Sequence, residues 1–323
     1  MDRDTLFITS KTNDPAFNLA TEEVLLRKFK QNIIFFYINR PSVIVGKHQN
    51  TLAEVNHEFL EKNNIPVYRR LSGGGTVYHD YGNINYCIIE NGEPGHLVDF
   101  LRATTPVVEA LKDYGLDARH GKRNDLLAGY KKISGNACHV YKSRAMHHGT
   151  LLFNSNLSQL TESLKADATK FRDKSVKSVR SEVVNISDLI PENNDVDIFV
   201  SKIGSFLQRK YNAAPYAFSE EEISEITTLA ETKYKTWQWN YGYSPTYEFS
   251  KRFKSDNYVY SAKLKVEKGI ISEITVKTNH PKKEEIINTT NKLTGTIHEK
   301  SQVEKVLVET DKEIRASLLS CLF

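Results

Sequence analysis

Arg69-Arg70-Leu71-Ser72-Gly73-Gly74-Gly75-Thr76-Val77-Tyr78-His79-Asp80 is the stretch of this chain whose residue types and spacing are best suited to chemistry. Three consecutive glycines strip the β-carbons from the backbone, so its N–H groups can meet a ligand directly. The two arginines before them carry rigid forks of donors matched to phosphate and carboxylate oxygens. Glycines alone also serve simply to turn a chain; the arginines and Ser72 are what favour anion binding. A Walker-type loop is excluded, because no Gly-Lys-Ser/Thr follows and no helix pattern opens there.

The elements that must position this stretch can be read on either side of it. Downstream a hairpin is expected: Thr76 to His79, a turn over Asp80-Tyr81-Gly82-Asn83, then a strand from Ile84 to Ile89. Upstream, Asp14-Pro15 reads as an N-cap with proline at the first helical position, opening a helix to about Phe29. Its apolar residues lie almost all round, which predicts deep burial. Ile33 to Ile38 and Val43 to Gly46 are β-rich, and Asn39-Arg40-Pro41 between them predicts a second hairpin. Leu97, Leu101, Val108 and Leu111 fall on one helical stripe that stops at Gly115, with Pro106 placed to kink or divide it. Strand-like text returns at Lys132-Ile133 and from Thr150 to Phe153.

Lys165 to Arg180 is cationic without an apolar period, a solvated loop or a lid over a binding site. A helix is predicted near Val196 to Tyr211, then an aromatic cluster at Trp237-Gln238-Trp239-Asn240-Tyr241. Tyr241 to Pro245 reads as a joint. Beyond it come a hairpin (Tyr258 to Val266, Ile270 to Lys277) and helices from Lys283 to Leu293 and from Ser301 onwards. Residues 1–243 are therefore expected to form one domain and 244–323 a small α/β second one.

A length of 323 residues suits one large or two ordinary domains. No apolar run approaches the ~18 residues of a membrane helix, and no segment of signal-peptide length follows the acidic N-terminus. A soluble cytoplasmic protein is expected. Cys87, Cys138 and Cys321 are too few and scattered for a disulfide framework or a zinc site. A net charge of +4 is too weak to argue for nucleic acid, but suits acidic protein partners or phosphate-bearing ligands.

Several further segments stand in a telling order: Asn18-Leu19-Ala20-Thr21-Glu22-Glu23, Gly46-Lys47-His48-Gln49-Asn50, Arg69 through Asn83, Arg123-Asn124-Asp125-Leu126, Lys132-Ile133-Ser134-Gly135-Asn136-Ala137, His147-His148-Gly149-Thr150-Leu151-Leu152, Ser178-Val179-Arg180-Ser181 and the Trp237 cluster. In this combination the chain resembles the lipoate–protein ligases over nearly its full length. The resemblance implies an α+β fold: a class II biotin/lipoate-ligase-like mixed sheet with flanking helices, plus a small C-terminal domain. It implies activation of lipoate, or octanoate, by ATP with Mg²⁺ as lipoyl-AMP. The acyl group then passes to a lysine of a lipoyl-accepting domain, in 2-oxoacid dehydrogenase complexes or the glycine cleavage H protein. Membrane and nucleic acid are not expected as partners, and a monomer is.

By the same resemblance Lys132 is the central lysine, reaching both the lipoyl carbonyl and the phosphate. Arg70, Gly75, Thr76, Val77, Tyr78 and Asn83 fall on the nucleotide side; Ser72, Gly74, His79, Gly135 and His148 fall on the acyl side, with Glu22 near them. Leu19, Ile44 and Val45 suit the walls of an apolar slot. Asp125 is read as a Mg²⁺ ligand, as a partner orienting Lys132, or as a turn cap. Lys47 stands where arginine is common, and Leu71 fills a variable slot.

Two rival readings remain. An ATP-independent lipoyl or octanoyl amidotransferase on the same scaffold would need an acyl-transfer nucleophile, for which Cys138 is the candidate nearest the lysine motif. A non-catalytic protein that binds lipoate or its adenylate is the other. Biotin is disfavoured, because the glycines follow Arg-Arg-Leu-Ser and no helix-turn-helix segment precedes the ligase-like region.

Overall fold

In a computed structural model, residues 4–93, 95–190, 195–255 and 257–323 are described. Met1 to Arg3, on which part of the N-terminal reading rests, lie outside them. The Asp14 carboxylate caps the Ala16 N–H and starts the first helix, Pro15–Lys28, which buries residues on every side as its composition predicts. That burial carries Asn18, Glu22 and Glu23 into the interior with the apolar residues.

The chain divides into two compact units, one from residues 1–47, 56–165 and 178–236, the other from 48–55, 166–177 and 237–323. The first unit holds an eight-stranded sheet. In spatial order its strands are Ala214–Pro215, Thr5–Thr9, Asn32–Ile38, Asn83–Asn91, Arg144–Leu152, Lys131–Tyr141, Asp125–Ala128 and Ala118–His120. The first three run parallel and the remaining pairings are antiparallel, so the sheet is mixed, as expected. Helices Phe100–Asp113 and Val196–Lys210 cover one face through Val107, Leu111, Phe199 and Leu207. Pro106 is accommodated inside its helix, which runs on to Tyr114 and stops at Gly115, φ +101°. A helix at Glu220–Leu229, which the sequence reading did not name, opens on a capping box between Ser219 and Glu222.

A second sheet of three strands in this unit carries the glycine stretch: Val67–Arg69, Ser42–Val45 and Val77–His79. Neither of the two hairpins expected around the glycine stretch forms, whereas the third, Tyr258–Glu267 with Ile270–Thr278, does. Asn39 to Pro41 and Asp80 to Gly82 each carry the chain from one sheet to the other, so their flanking strands are not partners. The second corner is fixed by the Asp80 carboxylate, which accepts the Gly82 N–H at 3.0 Å and the Asn156 N–H at 2.7 Å. Gly82 also lies against Asn154, whose carbonyl oxygen would be 1.9 Å from a β-carbon there.

The second unit is a four-stranded antiparallel sheet, Phe171–Asp173, Tyr247–Ser255, Tyr258–Glu267 and Ile270–Thr278, packed with helices Lys283–Asn291, Lys300–Val306 and Lys312–Leu322. Two strands and two helices were expected. Tyr247–Ser255 escaped because Lys251 shares the inward parity of Tyr247, Phe249 and Phe253 and so breaks the period of two in the text. The Lys165–Arg180 run is not irregular throughout. Phe171 pairs with Phe249 and packs on the unit's core, while Asp173 accepts from Asn50, Ser175 and Lys177. Among the described residues no helix is long and apolar enough to cross a membrane.

Candidate functional site

The glycine stretch is held open by its own arginines. Arg69 is fully buried, and its Nη1 donates to the carbonyls of Gly46 and Lys47, each at 3.0 Å. Arg70 donates to Ser72 Oγ at 3.0 Å, to the Ile44 carbonyl at 3.1 Å, and to the Gly73 and Gly75 carbonyls at 2.6 and 2.8 Å. Burial lowers its guanidinium to about 10, with Glu22 acting against that shift. Arg70, expected from the sequence to face a ligand, is also the clamp of the loop. In a trans peptide the N–H points opposite the C=O. Turning the Gly73 and Gly75 carbonyls inward on Arg70 therefore turns the N–H groups of Gly74 and Thr76 the other way. Thr76 N–H meets Ser178 Oγ at 2.9 Å. Gly74 has φ +88°, a left-handed conformation that glycine adopts freely. Gly46, from the neighbouring motif, leaves the room the loop needs, since a β-carbon there would lie 2.1 Å from the Gly74 oxygen.

Ser72 begins a second arrangement. Its Oγ lies 2.6 Å from Nε2 of His148, and His148 Nδ1 is 2.9 Å from both carboxylate oxygens of Glu22. Tyr37 donates its hydroxyl to Glu22 at 2.9 Å. Burial, with the adjacent Glu22 carboxylate, raises the Tyr37 phenol well above its ordinary value and keeps it a donor. All four residues are buried. The helix supplies Glu22, the strands on either side of Asn83–Asn91 supply Tyr37 and His148, and the loop supplies Ser72.

Lys132 occupies an irregularity between strands. Leu126 pairs with Ser134 while Leu127 pairs with Lys132, so the register shifts beside it, as bulges do where a side chain must be re-aimed. Its backbone N–H donates to Glu182 and its carbonyl accepts from Val184. Its amine lies over Gly135, where a β-carbon would be 3.0 Å from Nζ. Among the described residues the ammonium makes no hydrogen bond or ion pair. Burial lowers its pKa; Asp125 acts to raise it and Arg70 to lower it further. Asp125 itself accepts the Arg123 N–H at 3.2 Å, so it closes a turn and also faces the lysine electrostatically.

Tyr78 is buried and bonded to Gln159, and Val77 is half-buried on the same strand. Asn83 donates to Asn85 at 3.1 Å, leaving its Oδ1 buried with no partner among the described residues. The same holds for His79 Nε2. Leu19, Ile44 and Val45 are buried. Cys138 is a poor acyl-transfer nucleophile, because burial pushes its thiol up to about 11. Tyr37 and Ser178 were not singled out as site residues; Tyr37 reads as one more aromatic in a core strand.

Bare backbone braced by arginine, beside a half-buried lysine with no ion pair among the described residues, suits an anionic acyl substrate held against a phosphate, the class of an acid-activating ligase. Residues 14–208 match the family model described as lipoyl protein ligase A/B catalytic domain. Lipoate–protein ligase 1 of Staphylococcus aureus is 37% identical over 300 residues, 92% of each chain. The lipoate–protein ligase of Thermoplasma acidophilum with bound lipoic acid superposes with TM-score 0.63 at 27% identity, covering 74% of this chain and 99% of that one. A lipoate–protein ligase A bound with ATP gives TM-score 0.64 at 27% identity over 75% of this chain and all of the other. The chain belongs to the lipoate–protein ligase family.

Proposed function

We propose that this protein activates lipoate with ATP as lipoyl-AMP and transfers the lipoyl group to a lysine of a lipoyl-accepting domain. The half-buried Lys132 ammonium, unpaired over Gly135 and beside the braced loop, is the observation that carries this reading. In the first step a lipoate carboxylate oxygen attacks the α-phosphorus and pyrophosphate leaves. Two anions must meet, and Lys132 reaches between them as a compact, reorientable charge. Gly75, Thr76, Val77, Tyr78 and Asn83 take the nucleotide, with the unpartnered Asn83 Oδ1 available to a base amine. Ser72, Gly74, His79, Gly135 and His148 take the acyl group. In the second step the acceptor amine attacks the acyl carbonyl, AMP leaves, and Lys132 stabilises the charge that builds on the departing phosphate.

A magnesium ion arriving with ATP would neutralise phosphate charge. Asp125 is the carboxylate that would hold it, and one carboxylate with phosphate oxygens is an ordinary way to hold that ion. Residues 1–243 are proposed to carry the chemistry and 244–323 to form an accessory domain, in a cytoplasmic monomer. The acceptors are lipoyl domains of 2-oxoacid dehydrogenase complexes or the glycine cleavage H protein. The test is lipoate-dependent exchange of pyrophosphate into ATP, followed by mass gain on an apo lipoyl domain. Cys138→Ser should retain both. Transfer from an acylated carrier without ATP, lost in Cys138→Ser, would overturn the reading in favour of an amidotransferase. Lipoate binding with no exchange would make the protein a non-catalytic binder.

A further inference from the structure

His79 is 3% exposed, and its environment fixes which ring nitrogen carries the proton. The Thr12 carbonyl can only accept. Asn18 Nδ2 donates to that oxygen at 3.1 Å and to Asn39 Oδ1 at 2.9 Å, while Asn18 Oδ1 accepts from Ser10 at 2.6 Å. With its oxygen used by Asn18, Asn39 turns Nδ2 to His79 Nδ1, at 3.0 Å. An amide nitrogen donates only, so Nδ1 is the bare acceptor and the proton resides on Nε2. Burial first, then Arg70 and His148, lower His79 to about 3, so the ring stays neutral at working pH.

The Nε2–H donor is buried and has no acceptor among the described residues. Leaving such a donor unsatisfied is unfavourable. The cationic Arg70 and the histidine His148 nearby favour an anionic oxygen as the missing acceptor over a second donor. We propose that His79 gives its Nε2–H to the carboxylate of the acyl substrate, and that Asn39, held by Asn18, is the positioning residue that sets the required tautomer. The inference rests on the ligase reading for the identity of that substrate.

Ring-¹⁵N histidine spectra of the full chain read the tautomer without any ligand, with the His79 signals assigned by their loss in His79→Gln. An unprotonated Nδ1 and a protonated Nε2 are expected, and the reverse overturns the proposal. Steady-state assays supply the second arm. His79→Phe should raise KM for lipoate roughly ten- to a hundredfold, the size of one hydrogen bond to a charged group, with KM for ATP unchanged. His79→Gln, which can keep a donor at that place, should recover most of the loss. Asn39→Asp accepts from Nδ1–H, flips the tautomer and should also raise KM for lipoate. Where that variant does not fold, the wild-type spectrum decides the tautomer. Unchanged KM for lipoate in His79→Phe, or a rise in KM for ATP instead, overturns the acyl contact. A wild-type protein with the expected tautomer but no affinity for lipoate would refute the ligase reading and the carboxylate assignment with it, leaving the Asn39 positioning intact.

Discussion

Ser72 Oγ and His148 Nε2 stand 2.6 Å apart, and through His148 the glycine loop is tied to Glu22 on the buried first helix. A loop serine is thereby positioned from the core. Glu22 also accepts the Tyr37 hydroxyl, so removing its carboxylate leaves two buried donors without an acceptor. Leaving a buried donor without its acceptor typically costs ~1–3 kcal/mol. Glu22→Ala should lose that order of stability in urea unfolding. Glu22→Leu combined with His148→Phe should lose less than Glu22→Ala, because no buried polar group of the pair is then left alone.

Lys132 should serve chemistry rather than stability. Its ammonium bonds to nothing among the described residues, so Lys132→Ala should melt near the wild-type temperature. Losing a charge aimed at a transition state typically costs ~10²–10³ in rate, and both adenylate formation and transfer should fall by that order. Its lowered pKa also fixes the alkaline limb of kcat/KM for the free enzyme. Activity needs the protonated amine, so that limb should fall below the ~10.4 of an ordinary lysine. A limb at or above that value would place the lysine in open solvent.

The glycine loop stood out in the sequence because glycine and arginine declare their chemistry by type. How Arg70 is used was not, since the sequence cannot say which way the Gly73 and Gly75 carbonyls turn. Asn39 and Tyr37 looked like the end of a core strand and its turn, and acquire meaning only through Asn18 and Glu22 on a distant helix. The hairpin at Glu267 to Gly269 forms as expected, while the two expected around the glycine stretch failed for one reason. Adjacent β-rich runs pair by default when short turns join them, yet at Asn39 to Pro41 and at Asp80 to Gly82 the chain changes sheets. The contacts that enforce this, such as Asn156 on Asp80, come from far along the chain. Lys132 was found by its motif, while the register shift beside it depends on pairing that no local pattern encodes.

Gly46 offers a test of the loop's packing that leaves every reactive group in place. A β-carbon there would stand 2.1 Å from the Gly74 oxygen, which is backbone, and 3.2 Å from Arg70 Nη2, which is held by the Gly73 and Gly75 carbonyls. Gly46→Ala must therefore displace the loop rather than one flexible side chain. The expected outcome is a destabilisation of ~1–3 kcal/mol, typical of overpacking, with a fall in lipoate-dependent pyrophosphate exchange. Full exchange activity in a folded Gly46→Ala protein would show that the packing of Gly74 on Gly46 is not needed for the chemistry.

Acid should destabilise this protein before its carboxylates titrate. Burial lowers His79 to about 3 and His147 to about 4. In the unfolded chain both would take a proton near the ordinary ~6.5. Between those values the unfolded state binds more protons than the folded one, so stability falls as pH falls. The buried His79 should account for about 1.4 kcal/mol per pH unit across its window, and His147 acts in the same direction. Asp173 enters later. Although burial pushes it up, bonds from Lys177, Ser175 and Asn50 hold it at about 2, so its contribution disappears only below the ~3.9 of an unfolded aspartate. Urea midpoints taken from pH 7 down to pH 4.5 should therefore fall steadily, and the fall should be shallower in His79→Gln. A flat profile over that range, or one unaltered by His79→Gln, would mean that His79 is not held neutral in the fold.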